Sequence, residues 1–127
     1  MGYQKIDISE SIDQLTVNLS EIARVDEWAK HMGYETPQLF GYKFLRYFKT
    51  RPCKILIGVR LKSISDYLRS EEKISNFEIA LAHSLPDEKA LNNFTKYHID
   101  CPPTVIKSLT DKELGQKFIK FGIKILE

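Results

Sequence analysis

The sequence predicts an all-α protein in which two helix-turn-helix units are joined by one long helix. Three observations lead to this prediction. Apolar residues recur at the spacing of a buried helix face, glycine and proline stand where helices should end and begin, and core positions repeat after 51 residues. With 127 residues, 43% of them hydrophobic and 28% charged, the chain has the size and composition of a globular domain.

The first two helices are predicted from clear start and stop signals. Four apolar residues recur at i, i+3, i+4 and i+7, namely Val25, Trp28, Ala29 and Met32. Gly33 follows, where a left-handed residue ends a helix. Thr36 and Pro37 then supply an N-cap and a first-turn proline for the next helix. The buried face of that helix is predicted to consist of Phe40, Phe44, Tyr47 and Phe48.

A longer helix is predicted to begin at Pro52 and to run over residues 52 to 70, a length of about 28 Å. Its apolar face is predicted to be Ile57, Leu61, Ile64 and Leu68, and it carries the basic residues Lys54, Arg60, Lys62 and Arg69. We therefore divide the chain into a first helix-turn-helix subdomain (1–51), a connecting helix (52–70), a second helix-turn-helix subdomain (71–109) and a C-terminal extension (110–127).

A shift of 51 residues aligns the second half of the chain with the first. It places Glu27 on Glu78, Ala29 on Ala80, Tyr34 on Leu85, Phe40 on Leu91, and Pro52 on Pro103. The second unit is therefore predicted to bury Phe77, Ala80 and Leu81 on its first helix and Leu91, Phe94 and His98 on its second.

The two ends of the chain are predicted to pair as short β-strands, within one protomer or between two. Ile6 and Ile8 alternate with polar residues near the N-terminus. Near the C-terminus, Ile119, Phe121, Ile123 and Ile125 alternate with lysine and glycine. A helix is the alternative for the C-terminal stretch, through Leu114, Phe118, Phe121 and Ile125.

Positive charge is concentrated in one part of the chain. Residues 36 to 73 contain nine basic and three acidic residues, a net charge of +6, whereas residues 1 to 35 sum to −4 and residues 74 to 127 to zero. A local basic patch is what a phosphate backbone requires, and a solvated helix face is the alternative interpretation.

Several other classes of protein lack support in the sequence. No apolar run approaches the roughly 20 residues that span a bilayer, and the N-terminus is polar, so we expect a cytoplasmic protein that does not enter a membrane. Cys53 and Cys101 are too isolated to suggest a disulfide framework, and the histidines lack metal-ligand spacing. We find neither an activated nucleophile nor a glycine-rich phosphate loop. We therefore expect no enzymatic activity, no metal and no cofactor.

The sequence resembles the DNA-binding domain of the AraC/XylS family of bacterial transcription regulators over residues 22 to 109. In the first unit and connector, the resemblance lies in Trp28-Ala29, Met32-Gly33-Tyr34, Thr36-Pro37, Phe40, Phe44, Pro52 and Arg60-Leu61. In the second unit it lies in Glu78-Ile79-Ala80, the stretch from Pro86 to Phe94, and Pro102-Pro103-Thr104. Five positions depart from it. Ser84, Lys49 and Asp100 stand where the family commonly has glycine, and Gly41 and Tyr42 stand where it often has a serine and an arginine.

The resemblance implies two recognition helices that enter adjacent major grooves of double-stranded DNA. Outward positions near the start of each helix would contact bases: Pro37, Gln38, Gly41 and Tyr42 in the first, and Glu88, Lys89, Asn92 and Asn93 in the second. The candidates for base contact are Gln38, Tyr42, Lys89, Asn92 and Asn93, since amides pair with adenine and lysine reaches guanine. Phosphate contacts are expected from Thr36, Lys43, Arg46, Lys49, Arg51 and Lys54.

Two hypotheses of function follow from the sequence. The first is a transcription regulator that binds double-stranded DNA. It could act through a partner such as RNA polymerase, through its abundance, or as a piece of a longer protein, and a second copy could bind through the C-terminal stretch. This hypothesis predicts one positive face that contains Lys43, Arg46, Lys49, Arg60 and the start of the second recognition helix. The competing hypothesis is a helix-turn-helix domain used for protein association, which predicts an apolar patch around Phe118 to Leu126.

Overall fold

Eight α-helices and no β-strand are found in residues 6 to 121, which the computed structural model describes. The helices are α1 (Ser11–Val17), α2 (Val25–His31), α3 (Pro37–Phe48), α4 (Pro52–Leu68), α5 (Asn76–Ala82), α6 (Glu88–Ile99), α7 (Pro103–Ser108) and α8 (Asp111–Phe118). Single 3-10 turns, Ile8–Glu10 and Ile119–Phe121, lie before α1 and after α8. The prediction of an all-α fold with two helix-turn-helix units joined by a long helix is confirmed.

The 51-residue repeat holds at the level of helix boundaries. α2 begins at residue 25 and α5 at residue 76, while α3 covers residues 37 to 48 and α6 covers residues 88 to 99. The caps repeat as well: Thr36 accepts a hydrogen bond from the Leu39 N–H, and Asp87 accepts one from the Ala90 N–H. Each capping oxygen satisfies a backbone donor that the first turn leaves unpaired.

Each unit has a left-handed residue at the same two positions, in the turn between its helices and at the end of its second helix. The turns between the helices contain Gly33 with φ 86° and Ser84 with φ 62°. The residues that end α3 and α6, Lys49 and Asp100, have φ 63° and 60°. Three of the four are not glycine, so the second unit and both helix ends keep a left-handed residue at some energetic cost.

α4 lies between two hydrophobic clusters and contributes to both. Ile55, Leu56 and Val59 belong to the first cluster. Leu61, Ile64 and Leu68 belong to the second. The first cluster also contains the buried aromatic side chains Trp28, Phe40 and Phe44 of α2 and α3, and the second contains apolar residues from α5 to α8. The connecting helix is therefore buried along most of its length.

Three apolar residues predicted to be buried are exposed instead. Tyr47 is 55% exposed, Phe77 46% and Leu81 48%. α5 buries Ile79 and Ala80, which sets its rotation and turns residues 77 and 81 to solvent. The equivalent residues of the first unit, Asp26 and Lys30, are exposed too, so the repeat itself identifies these positions as outward.

The predicted β-pairing of the termini is wrong for the residues that the structure describes. The Ile6 N–H donates to the Met32 carbonyl, and the chain then enters a 3-10 turn. At the other end, Phe118 and Phe121 lie three residues apart on one helical side and are buried in the second cluster. Lys5 and residues 122 to 126, which belong to this prediction, lie outside the described residues.

His83 is buried where α5 meets α4. Its Nδ1 donates to the Ile79 carbonyl at 2.6 Å, because a carbonyl can only accept, and its Nε2 then accepts from the Ser63 hydroxyl at 2.8 Å. Burial lowers the pKa of His83; the bond to Ile79 opposes this shift, and the charge of Arg60 adds to it. The ring also packs edge-on against Tyr67.

The stability of the fold should therefore fall as the pH is lowered from about 7.5 to about 5.5. The unfolded chain takes up a proton at His83 near the ordinary histidine pKa of about 6.5, whereas the folded protein resists it. His83→Gln should flatten this dependence in urea unfolding measured at several pH values, and His98, whose pKa burial also lowers, should supply part of the remaining slope. A His83→Gln protein that keeps the full slope would contradict this prediction.

The left-handed residues give a second prediction. Lys49→Gly should raise the free energy of unfolding by about 1 kcal/mol, because glycine adopts this conformation without strain. Asp100→Gly should raise the free energy of unfolding by less, since aspartate tolerates the conformation better than lysine. Gly33→Ala should lower the free energy of unfolding. Denaturant midpoints of the three variants test this, and a Lys49→Gly protein less stable than the wild type would contradict it.

Candidate nucleic-acid interface

The second helix of each unit leaves one side open to solvent, and the predicted contact residues lie on or beside these sides. The exposed ones are Thr36, Gln38, Tyr42, Lys43, Arg46, Lys49, Arg51, Lys54, Lys89 and Asn93. Asn92 is only half-exposed. The structure thus makes ten of the eleven predicted side chains accessible to a large partner, and the eleventh in part.

The orientation of α3 is fixed by aromatic packing on its inner side. Phe40 and Phe44 are fully buried, and the centroid of each ring lies 5.1 Å from that of Trp28 in an edge-on arrangement. Trp28 is itself held by a hydrogen bond from its Nε1–H to the Ser11 carbonyl, 3.0 Å long. This packing turns Gln38 and Tyr42 outward.

Positive charge around α3 has no acidic neighbours along the chain. The stretch from residue 36 to residue 65 contains no aspartate or glutamate. Within residues 6 to 121, no carboxylate forms an ion pair with any of the five exposed cations of α3 and the start of α4. These cations are Lys43, Arg46, Lys49, Arg51 and Lys54. Their charge is therefore available to an anionic partner.

Two predicted contact residues of α3 are bonded to each other. The Arg46 Nη1–H donates to the Tyr42 hydroxyl at 3.0 Å, and the guanidinium carbon lies 5.5 Å from the centre of the ring. The pair spans i to i+4 on the outer side of the helix. The remaining N–H groups of Arg46 are still free to bind an anion, since a guanidinium has five donors.

The exposed side of α6 has a different chemistry. Glu88 and Asp100 lie among Lys89 and Lys96, so this surface is close to neutral. Its distinctive exposed group is the Asn93 amide. Asn92 corresponds to Gly41 of α3 in the repeat, which explains why both positions are half-buried. The second helix therefore offers hydrogen-bonding groups rather than net charge.

Arg60 was expected on the positive face, and the structure shows this to be wrong. Its side chain is buried: Nη2 donates to the carbonyls of Ile22 at 3.2 Å and Ala23 at 2.9 Å. Its guanidinium lies 5.4 Å from the ring centre of Phe94 in α6. Burial lowers the pKa of Arg60, and the charge of Glu27 opposes this shift. A signal was present in the sequence, because Arg60 lies four residues from both Leu56 and Ile64.

A second contact between the units involves the non-glycine turn. The Ser84 hydroxyl donates to the Leu19 carbonyl at 2.6 Å, which joins the turn of the second unit to the segment after α1. Like Arg60, it connects the two halves through a backbone carbonyl. These contacts hold α6 in a defined position relative to the first unit.

Neither a metal site nor a membrane span is found in the part of the chain that the structure describes. Residues 6 to 121 contain no cluster of three or more His, Cys, Asp or Glu side chains that could hold a metal ion. None of their helices is both long enough and apolar enough to cross a bilayer.

Comparison with known proteins gives a match at the level of structure. No protein-family model matches the chain, and a comparison with curated proteins finds no match. The fold is similar to that of a transcriptional regulator from Chromobacterium violaceum, described as an AraC-type DNA-binding domain-containing protein. The TM-score is 0.63 at 21% sequence identity, over 80% of this chain and 88% of that one. The likeness shows a shared fold.

Arg60→Ala should lower the free energy of unfolding by about 2–3 kcal/mol. The substitution removes two buried hydrogen bonds from a charged donor, each worth about 1.5–3 kcal/mol, while relieving the burial of the charge. Arg46→Ala is the matched control at an exposed position and should change stability by about 0.5 kcal/mol or less. Urea unfolding of both variants measures the difference, and equal effects would show that Arg60 does not connect the units.

Proposed function

We propose that this chain is a transcription regulator of the AraC type that binds double-stranded DNA through α3 and α6. The observation that carries this proposal is the repetition of one helix-turn-helix unit at an offset of 51 residues, with an accessible second helix in each copy. The fold likeness to a protein described as having an AraC-type DNA-binding domain supports it.

The dimensions of the chain suit two neighbouring grooves. A major groove is about 12 Å wide and admits one helix, and successive grooves on one face lie about 34 to 36 Å apart. α4 has 17 residues and so measures about 26 Å. Together with the widths of the units at its ends, a connector of this length is on the scale of the groove spacing.

In the proposed complex, the α3 region would supply the contacts to phosphates, and both helices would contact bases. Phosphate contacts are assigned to the α3 region, through Thr36, Lys43, Arg46, Lys49, Arg51 and Lys54. Base contacts are assigned to Gln38 and Tyr42 of α3 and to Lys89, Asn92 and Asn93 of α6. Asn93 has the better access, and half-buried Asn92 would contribute less. An amide can pair with adenine through two hydrogen bonds, and lysine can reach guanine.

The further assignments follow from this role. We place the regulator in the bacterial cytoplasm, with RNA polymerase as its second partner. We propose that residues 1–51 and 71–109 are the two DNA-binding subdomains, that 52–70 connects them, and that 110–127 is an extension. No catalytic function is proposed.

A mobility-shift experiment with duplex DNA tests the proposal and its division of roles. Arg46→Ala should weaken binding to every sequence alike and reduce the slope of log affinity against log salt by about 1, because one phosphate contact is lost. Asn93→Ala should instead relax sequence preference and leave non-specific binding nearly unchanged. Lys112→Ala, an exposed cation on α8, is the control and should change neither. Absence of any shift at about 50 mM salt, where phosphate contacts are strongest, would reject DNA binding.

Protein association remains the second candidate, and one observation favours it. Phe77 and Leu81 are exposed on α5, where the first unit has the charged residues Asp26 and Lys30. The sequence predicted an apolar surface patch around Phe118 to Leu126 for this role. That prediction is wrong for Phe118, which is buried, and the residues of the patch beyond 121 lie outside the described part of the chain. If two copies associate through α5, analytical ultracentrifugation should show a dimer. The double variant Phe77→Asp/Leu81→Lys should then sediment as a monomer.

A further inference from the structure

The outward stripe of α3 carries no charge. Gln38, Gly41, Tyr42 and Leu45 fall at i, i+3, i+4 and i+7, which is one face of a helix. Tyr42 is 56% exposed and Leu45 is 40% exposed. In α6 the same four positions of the repeat are occupied by Lys89, Asn92, Asn93 and Lys96. The two helices therefore present unlike chemistry from equivalent positions of one backbone.

Gly41 is not required by the packing of the protein. A Cβ at this position would have the Pro52 Cγ as its nearest neighbour, at 4.0 Å, which is ordinary van der Waals contact. The helix has no left-handed residue there that would favour glycine. Glycine in a helix interior lowers helix stability, so the residue carries a cost without a benefit inside the chain. Its missing side chain leaves an unfilled notch between Gln38 and Leu45, the neighbours of residue 41 at i−3 and i+4 on the helix surface.

We infer that α3 recognises thymine, with the C5-methyl group of the base seated in the notch at Gly41. This inference rests on the proposed function. Thymine is the base that presents a methyl group in the major groove, and apolar side chains recognise it by contact. Leu45 and the ring of Pro52 supply the apolar walls, and Gln38 on the same stripe can pair with an adjacent adenine.

The flanking charge explains why an apolar stripe would face DNA rather than another protein. Five exposed cations lie on α3, in the turn after it and at the start of α4, and no carboxylate among residues 6 to 121 pairs with them. Such a surface is complementary to two phosphate backbones that border a groove. The DNA site is then asymmetric: the α3 half contains A·T pairs, and the α6 half is read by hydrogen bonds.

Uracil substitution tests the inference, because it removes the C5-methyl group and keeps every hydrogen-bonding group of thymine. A binding duplex is selected from a random library with the wild-type chain, and thymine is replaced by deoxyuridine in one half of the site at a time. Uracil in the half that α3 contacts should weaken binding by roughly fourfold for each buried methyl lost. Uracil in the half that α6 contacts should leave affinity unchanged.

Gly41→Ala places a methyl group of the protein in the notch and should abolish the difference between thymine and uracil. Gly115→Ala in α8 is the matched control, since a Cβ there would meet nothing within 4 Å. It should retain both affinity and sensitivity to uracil. Both substitutions remove glycine from a helix, so thermal unfolding should show that neither protein is destabilised.

The outcomes separate this inference from the function on which it rests. Failure to select any duplex would overturn the proposed function itself. Selection of a duplex that tolerates uracil equally in both halves would overturn thymine recognition and leave DNA binding intact. A Gly41→Ala protein that still distinguishes thymine from uracil would show that the methyl group is not bound at the notch.

Discussion

One helix shared by two hydrophobic cores determines the rest of the structure. α4 gives Ile55 and Val59 to the first cluster and Ile64 and Leu68 to the second. At the boundary between these clusters lies Arg60, a buried cation whose Nη2 is satisfied by two backbone carbonyls and whose Nε has no partner within the described residues. Because both units pack against α4, neither unit can rotate relative to the other without disrupting its own core. The relative placement of α3 and α6 is therefore a property of the core.

Equivalent positions of the two units have the same backbone conformation but different side chains. The turn of the first unit uses Gly33, and the second adopts the same left-handed conformation with Ser84. The strain at Ser84 is offset by its hydroxyl, which donates to the Leu19 carbonyl and joins the two units. At the helix ends, Lys49 and Asp100 keep one geometry with opposite charge. The two units share the backbone conformation, while the side chains at these positions make different contacts.

Local spacing predicted much of the fold and less of the site. Helix boundaries, N-caps and the repeat follow from residues within one or two turns of each other, which is the range that periodicity reports. The burial of Arg60 and the exposure of Phe77 depend on which neighbouring element covers each face, so charge and hydrophobicity alone gave the wrong result. The alternation from residue 119 to 125 was compatible with a strand, but the same stretch also fits a helix face, and its described part, Ile119–Phe121, is a 3-10 turn. Accessibility of the proposed contact residues could be predicted, but the Tyr42 to Arg46 pairing could not be singled out among the available i, i+4 pairs.

Charge and hydrogen-bonding capacity are distributed unequally over α3 and α6, and this constrains how the proposed DNA complex would be held. The α3 region has five exposed cations free of carboxylate partners among residues 6 to 121, while α6 has acidic residues beside its lysines. Phosphate contacts depend little on sequence, so the affinity that these cations would contribute is the same on any duplex. Because α6 adds little charge, its contribution arises mainly where its hydrogen-bonding groups meet matching base edges. Since the shared core fixes the position of α6, binding of DNA by the first unit would bring the second to the neighbouring groove. A matching sequence there would then lengthen the lifetime of the proposed complex more than it speeds its formation.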